Sequence, residues 1–340
     1  MNITNNINVE EIFIKFFEKY GHVLLKPNHI INPEGDVTLF NIAGMQQFVK
    51  YFTQQEVAPY TKIITSQPCI RVGGKNCDLN IIGTTKRHTT FFTMLGNFSF
   101  NGYFKEEAIK YAWLLLDELN INKTYIYITV HTDDMETYNI WTKYIDKSHI
   151  FKLDENVWSM GNIGPFGNCT EIFYDTLERG IYTQSILDDD MLEIWNIVFM
   201  EYNKLPNGSI EKMHKPFVDT GAGLERLESV VNRTFDSFLT SKLYRIYNVV
   251  CKFNDNNQRK FTDHIRTIVI LINNGLLPGN SSHSYVLRNL IRRIYNMNNI
   301  EEAINIVTEV YNINNQNIYN IVRNEINNFN DVIEQNKIYM

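Results

Sequence analysis

The chain has 340 residues, a formal net charge of −6, 44% hydrophobic residues and 21% charged residues. This composition is typical of a soluble globular protein, and the length predicts two or three domains. The negative charge argues against indiscriminate binding to nucleic acid, although a local basic face remains compatible with it. No apolar run approaches the ~18 to 20 residues that a membrane span requires.

The cysteines and the N-terminus exclude further classes of protein. The four cysteines are scattered without CxxC or zinc-finger spacing, so we expect neither a disulfide framework nor a metal site. They are Cys69, Cys77, Cys169 and Cys251. The first 13 residues lack the layout of a signal or transit peptide. We therefore expect a cytoplasmic protein, with an organelle as the alternative.

The first half of the chain alternates between helical and strand patterns. A helix that ends at Gly21 is predicted because Ile12, Phe13, Phe16 and Phe17 share one helical face. Strands follow at 61–72 and 89–100, then a helix at 103–119, a strand at 125–130 and a helix at 133–145. Residues 161–175 are predicted to be a loop that runs into a strand, and 195–203 a buried strand.

After about residue 236 the pattern changes to successive helices. They are predicted near 236–252, 258–274, 284–297, 300–311 and 314–337. The Asn-rich tract 296–330 could be a linker, but its Ile, Val and Tyr residues keep helical spacing. We predict an α+β domain over 1–235, with a largely antiparallel sheet flanked by helices, and an all-α domain over 236–340.

A short stretch, "KPFVDTGAGLERL" at 215–227, places two glycines at a strand-to-helix junction. Gly221 and Gly223 allow a close approach to the backbone, and Asp219 and Arg226 flank that approach with opposite charges. The stretch lacks the third glycine and the βαβ setting of a dinucleotide-binding fingerprint. It therefore indicates a ligand site of another kind.

A second glycine pair lies in "CIRVGGKN", where Arg71 and Lys75 surround Gly73 and Gly74. Two cations beside exposed backbone suit a phosphate, but a charged hairpin tip is an equally good interpretation. The stretch is not a Walker loop, because Asn76 follows Lys75 where that motif needs Ser or Thr.

The next strand begins "KRHTTFF", which offers Arg87, His88, Phe91 and Phe92. Taken alone, such a histidine is a surface or core residue, and adjacent phenylalanines are core. Together with the arginines at 71 and 226, they supply cations and an aromatic platform. That combination suits a triphosphate and an adenine ring.

These stretches resemble the alanyl-tRNA synthetases, a family of class II aminoacyl-tRNA synthetases. The matching blocks occur in the family's order over nearly the whole chain, and those containing "CIRVGGKN" and "VDTGAGLER" resemble class II motifs two and three. They are 41–48, 65–109, 158–175, 193–203, 218–226, 263–280 and 285–293. The resemblance implies a minimal form without the family's editing and C-terminal domains.

The resemblance implies a role for each matching residue. Arg71 would bind the ATP α-phosphate, Lys75 the phosphates, and Phe91 would stack on adenine opposite Arg226, which lies near the γ-phosphate. Asp219 would hold the alanine ammonium. The remaining implied contacts are Arg87, His88, Gly221 and Gly223 for ATP, and Trp158, Asn196, Val198 and Gly221 for alanine. Glu171 and Asp175 are either structural or adjacent to a metal.

The helical region would bind RNA. Asn280 matches an asparagine that the family uses on the third base pair of the acceptor stem, while Arg288, Arg292 and Arg293 would contact phosphates. A solvated charged surface is the alternative for these arginines.

The implied reaction is ATP-dependent activation of L-alanine, with Mg²⁺, followed by transfer to the 3′ end of tRNA(Ala). We expect a monomer with no membrane partner. Two alternatives remain: a paralogue that loads activated alanine onto a non-tRNA acceptor, and an inactive RNA-binding relative.

Overall fold

The structure is a computed structural model that describes residues 7–73, 79–180 and 185–338. The chain divides into two compact units. The sheet unit contains Met1–Asn28, Ala43–Pro68 and Thr93–Phe235. The helical unit contains His29–Ile42, Cys69–Phe92 and Asp236–Met340. Segments 29–42 and 69–92 thus group with the C-terminal helices. The assignment of an aminoacylation domain to 1–235 and of a tRNA-binding domain to 236–340 stays a prediction.

The sheet unit alternates strands and helices along the chain. Its helices are α1 (Val9–Lys19), α2 (Val49–Phe52), α3 (Lys105–Glu118), α4 (Met135–Trp141) and α5 (Leu224–Val231). The strands are β1 (Val23–Leu24), β2 (Lys62–Ile70), β3 (Phe91–Phe100), β4 (Ile126–Val130), β5 (Ile150–Lys152), β6 (Val157–Ser159), β7 (Gly164–Asp175), β8 (Met191–Lys204) and β9 (Ile210–Gly223). The predicted strand-to-helix junction is confirmed. Residues 161–175, predicted to be a loop that runs into a strand, are already strand from Gly164 onward.

The described strands form one sheet in the order β1-β2-β3-β9-β8-β7-β4-β5, with β6 paired to β7. The pairs β3/β9, β9/β8, β8/β7 and β7/β4 are antiparallel, whereas β1/β2 and β4/β5 are parallel. This mixed but mostly antiparallel sheet with flanking helices confirms the predicted fold class.

Strand β8 is apolar without interruption because it is covered on both faces. Trp195, Ile197 and Phe199 pack in the core that includes α1, α3 and α5. Val198 and Met200, which point to the opposite face, belong to a second core around Phe48 and Phe98. Successive side chains of a strand alternate between faces, so one run of residues supplies both cores.

The helical unit consists of α6 (Ser241–Phe253), α7 (Gln258–Asn273), α8 (Ser282–Arg293), α9 (Ile300–Val310) and α10 (Ile318–Ile338). Helix α7 lies at its centre, because its residues from 261 to 272 are all buried. The Asn-rich tract forms α9 and α10, which confirms helix rather than linker. Within the described residues, no helix has both the length and the apolar character needed to cross a membrane.

Gly167 sets the close spacing of β7 and β8. A Cβ atom at this position would lie 1.8 Å from the carbonyl oxygen of Phe199, and the register of the two strands shifts between Phe166 and Cys169. No side chain can be placed against a backbone atom at that distance without moving a strand. A glycine is therefore required here by packing.

We expect Gly167→Ala to lower the free energy of unfolding by at least about 2 kcal/mol, because one of the two strands must shift. Urea denaturation would measure the change. Gly73→Ala is the control, since a Cβ there has no heavy atom of the described residues within 4 Å and its φ is not in the left-handed region. Equal stability of the two variants would contradict this account of Gly167.

Candidate active site

The pairing of β8 with β9 gathers the residues predicted to bind alanine. Val198 lies directly opposite Asp219, and Asn196 directly opposite Gly221. Directly paired residues share a face of the sheet, and so do residues two apart. The four side-chain positions therefore form one contiguous patch within the sheet unit.

Trp158 borders this patch. On β6 it pairs with Gly167 of β7, and its half-buried ring packs against the core that contains Cys169 and Val198. Cys169 itself is the β7 partner of Val198. The structure thus brings together Trp158, Val198 and Asp219, which the sequence places 40 and 21 residues apart.

Asp219 is a buried carboxylate. Its residue is 7% exposed, and burial raises its pKa from 3.8 to about 7. Desolvation disfavours the charged form unless a cation compensates it. An ammonium group bound at Asp219 would supply that compensation, so the site is chemically suited to a small cationic ligand.

The glycines of β9 accommodate side chains of the protein itself. A Cβ atom on Gly221 would lie 2.9 Å from the sulfur of Met94, and one on Gly223 would lie 3.5 Å from the side chain of Arg226. Met94 also accepts the backbone N–H of Gly44 at 3.3 Å. Sequence reasoning missed Met94, because no local pattern shows which strand β3 would pair with.

Arg226 is held at the start of α5 by Glu193. Its Nη1 donates to the Glu193 carbonyl oxygen at 2.9 Å and to the carboxylate at 3.1 Å. Both side chains remain partly exposed. Glu193 lies inside a block that resembles the family, but sequence reasoning assigned it no role.

Glu171 and Asp175, for which two interpretations were open, lie in different surroundings. Asp175 is fully buried, accepts from the backbone of Leu177 and Arg179, and pairs with the Arg179 guanidinium at 2.8 Å. These contacts support a structural role for Asp175. Glu171 lies on β7 directly opposite Asn196 and accepts its side-chain N–H at 3.3 Å.

In the helical unit, the predicted phosphate ligand Arg71 follows β2. Its Nε donates to the Ile42 carbonyl at 3.0 Å, and its guanidinium lies 5.0 Å from the ring centre of Phe92. His88 contacts the Thr85 hydroxyl through Nδ1 at 2.8 Å, and Arg87 is half-buried. Lys75 lies outside the described residues.

Phe91 does not have the exposure that a stacking ring needs. It is 5% exposed and belongs to the core of the helical unit, with the Arg266 guanidinium 4.9 Å from its ring centre. Phe92 is half-buried and lies beside Arg71. The prediction of Phe91 is corrected for this reason: alternation along β3 leaves Phe92 as the more accessible ring.

Arg293 is engaged inside the helical unit. Its Nε donates to His264 Nε2 at 3.1 Å, and its Nη2 donates to the Leu79 carbonyl at 2.7 Å. Because arginine can only donate, His264 Nε2 accepts, which leaves the proton on Nδ1 to donate to Asp263 at 3.0 Å. Asp263 also accepts the Thr90 N–H at 2.7 Å. Arg293 therefore links α8 directly to Leu79 and, through His264 and Asp263, to Thr90.

The other residues predicted to contact RNA have different neighbours. Arg292 donates to Glu325 of α10 at 2.8 Å and lies against the ring of Phe329. Arg288 donates to the side-chain oxygen of Asn280, which is exposed. The structure thus joins Asn280 to Arg288 and places Arg292 and Arg293 in intramolecular contacts.

Burial of Asp219 predicts a pH-dependent stability. A carboxyl group whose folded pKa exceeds its unfolded value binds protons more tightly in the folded state, so stability falls as pH rises through that interval. With a folded pKa of about 7, wild type should lose roughly 3 kcal/mol relative to Asp219→Asn between pH 5 and pH 8. Urea denaturation at several pH values measures this difference.

Asp154→Asn provides a matched control for that comparison, because the side chain of Asp154 is exposed. A stability difference between wild type and Asp219→Asn that stays constant from pH 5 to pH 8 would show that Asp219 is ionised without cost in the folded protein. The buried-carboxylate account would then be wrong.

Comparison with known proteins gives consistent matches. The family model of tRNA synthetases class II (A) matches residues 8–338. An alanine–tRNA ligase of Lawsonia intracellularis is 40% identical over 310 residues, and one of Nitratidesulfovibrio vulgaris is 41% identical over 315. These alignments cover 85% and 86% of this chain. Among solved structures, a pyrrolysyl tRNA synthetase of Desulfitobacterium hafniense matches 69% of this chain and 72% of its own, at 12% identity and a TM-score of 0.41.

The chain spans about a third of the length of these curated relatives, 35% of the first and 36% of the second. The family model, by contrast, covers nearly all of the 340 residues. The chain belongs to the class II tRNA synthetases (A).

Proposed function

We propose that this chain activates L-alanine with ATP and transfers the alanyl group to the 3′ end of tRNA(Ala). The observation that carries the proposal is the buried Asp219 directly opposite Val198, with Asn196 on the same face of the sheet. A desolvated carboxylate without a compensating cation among the described residues suits the ammonium of a small amino acid. The names of the two relatives, alanine–tRNA ligase, support the choice of alanine.

In the first step, an oxygen of the alanine carboxylate attacks the α-phosphorus of ATP. The new P–O bond forms as the bond to the β-phosphate oxygen breaks, which gives alanyl-adenylate and pyrophosphate. Asp219 holds the ammonium, and Trp158 and Val198 limit the space for the amino-acid side chain. Binding both reactants in a fixed orientation accelerates such a step without a protein base.

Residues proposed to bind ATP are held by neighbours within their own unit. In the helical unit, Arg71 binds the α-phosphate and Phe92 takes the adenine-stacking role first predicted for Phe91. Arg87, His88 and Lys75 remain predicted ATP contacts. In the sheet unit, Arg226 binds the terminal phosphates. The contacts of Arg71 with Ile42 and of Arg226 with Glu193 hold each guanidinium in place before ATP binds.

Mg²⁺ fits this arrangement as a partner of the ATP phosphates. In the described ranges, no three His, Cys, Asp or Glu side chains are grouped to hold a metal ion. Mg²⁺ at nucleotide sites is bound mainly by phosphates and waters, with one or two carboxylates. The partly exposed Glu193 offers such a carboxylate, and the bound ion would add positive charge at the phosphates.

For the RNA, we propose that Asn280 and Arg288 form the contact with the acceptor stem. Asn280 is exposed, and an amide can both donate and accept at base edges in the shallow minor groove of an A-form stem. Its contact with Arg288 orients the amide. Arg292 and Arg293 act through the fold, since both already have partners within the helical unit.

The activation step is tested by Arg71→Ala and Arg226→Ala. Each variant should lose about 100- to 1,000-fold in alanine-dependent ATP–pyrophosphate exchange, because each removes a fixed donor to transition-state charge. Arg233→Ala and Arg245→Ala, which remove exposed arginines paired with glutamates in the same two units, are matched controls. Near-normal exchange in both active-site variants would refute the proposed nucleotide ligands.

Charging of total tRNA by the wild-type protein then separates the proposed transfer to tRNA from transfer of alanine to another acceptor.

The distinct roles of Arg293 and Arg288 can be separated by two assays. Arg293→Ala should lower ATP–pyrophosphate exchange about tenfold or more, because it removes the hydrogen bonds that hold Leu79 and His264. Arg288→Ala should leave exchange near the wild-type rate and reduce charging of tRNA. If Arg293→Ala reduced only charging, Arg293 would be the phosphate contact that the sequence predicts.

A further inference from the structure

A line of polar residues crosses four strands of the sheet unit at the proposed alanine site. Thr129 on β4 pairs with Glu171 on β7, Glu171 with Asn196 on β8, and Asn196 with Gly221 on β9. These positions all face the same side of the sheet. The line ends beside Asp219, which is two residues before Gly221 on β9.

Glu171 is held in place from the β4 side. The Thr129 hydroxyl donates to its Oε2 at 3.2 Å, and the buried Asn156 donates to the Thr129 oxygen at 2.8 Å. The other carboxylate oxygen, Oε1, accepts the Asn196 Nδ2–H at 3.3 Å. Glu171 therefore connects an anchored threonine to an amide that the family resemblance places at the substrate.

An ionised carboxylate can only accept hydrogen bonds. It consequently selects one of the two orientations of the Asn196 amide, the one with Nδ2 toward Glu171. The opposite atom, Oδ1, is buried and has no hydrogen-bond partner in the described part of the chain. A buried acceptor without a partner costs free energy that a ligand donor can recover.

An amino-acid ammonium has the donors that this arrangement lacks. It carries three N–H groups, of which Asp219 can accept one or two, and Asn196 Oδ1 could accept another. Gly221, opposite Asn196, has no side chain of its own, and the sulfur of Met94 lies 2.9 Å from the position that a Cβ would take there. The reversed amide would instead present an NH₂ group to a cation, which is repulsive.

Neighbouring groups act on the ionisation of Glu171 in both directions. Burial, and secondly the charge of Glu193, raise the pKa of Glu171 to about 7, while the Thr129 hydrogen bond and the charge of Arg226 lower it. Arrival of a cation next to Asp219 and Asn196 favours the ionised, acceptor-only form of Glu171. Substrate binding and amide orientation thus support each other.

We propose that Glu171 is a positioning residue of the alanine site, which orients the Asn196 amide so that its oxygen accepts from the substrate ammonium. This inference rests on the proposed function of the chain. It assigns Glu171 no contact with alanine, ATP or a metal ion. The sequence left two interpretations of Glu171 open, a structural residue or a neighbour of a metal ion. The proposal favours the structural interpretation and gives it a specific purpose, the orientation of Asn196 for substrate binding.

The test uses Glu171→Gln, which keeps the shape of the side chain but adds an NH₂ donor. Asn196 can then adopt either orientation, so KM for alanine in ATP–pyrophosphate exchange at pH 8 should rise about tenfold. In Glu171→Gln, KM for ATP and the dependence on Mg²⁺ should stay within about twofold of wild type. In the control Glu178→Gln, the same kinetic values should also stay within about twofold of wild type. Glu178 is a matched control because it is a partly buried glutamate of the same unit that binds Tyr174 and Arg233.

A double-mutant cycle with Asn196→Ala distinguishes positioning from direct action. If Glu171 acts through Asn196, Glu171→Gln should raise KM for alanine no further in the Asn196→Ala background. An undiminished effect in that background would overturn the proposal, and so would a changed Mg²⁺ dependence, which would indicate a metal ligand. Urea denaturation of each variant verifies that the fold is retained.

Failure of this inference can be told apart from failure of the proposed function. Wild-type protein with alanine-dependent exchange, together with an unchanged KM in Glu171→Gln, would overturn the positioning role alone. Absence of exchange in wild type with alanine, ATP and Mg²⁺ would overturn both.

Discussion

The antiparallel pairing of β7, β8 and β9 is the constraint on which the proposed site depends. Their register places Glu171, Asn196 and Gly221 in one line, and Val198 beside Asp219. A slip of one residue in either pairing would turn every side chain of a strand to the opposite face. The two cores that cover this sheet penalise such a slip, because it would expose apolar residues and bury polar ones.

Buried charge is used in two ways in this chain. In the helical unit, Asp263, His264 and Arg266 are fully buried and partnered, so they join helix α7 to neighbouring segments. In the sheet unit, Asp219 is buried and forms no ion pair within the described ranges, and burial raises its pKa. The paired charges hold segments of the fold together, whereas the unpaired carboxylate is a candidate for a ligand site.

Local sequence patterns predicted most elements because those elements bury one recognisable face. The helix around Phe13, Phe16 and Phe17 and the amphipathic helices after residue 236 are confirmed within a few residues of their predicted ends. The register between strands could not be predicted, since it depends on pairings between residues far apart in the chain. For that reason Met94 and Glu193 were missed, and Phe91 was chosen instead of its neighbour.

By itself, the sequence determined the fold class, the family resemblance and the residue types of the site, because helical and strand periodicity and the glycine-containing motifs are local properties. Only the tertiary structure decided which of these residues are available to a ligand. Arg293 and Phe91 were plausible contacts by position, but packing engages Arg293 with His264 and buries Phe91 beside Arg266. Partners and burial arise from contacts across long sequence separations, and no local pattern encodes them.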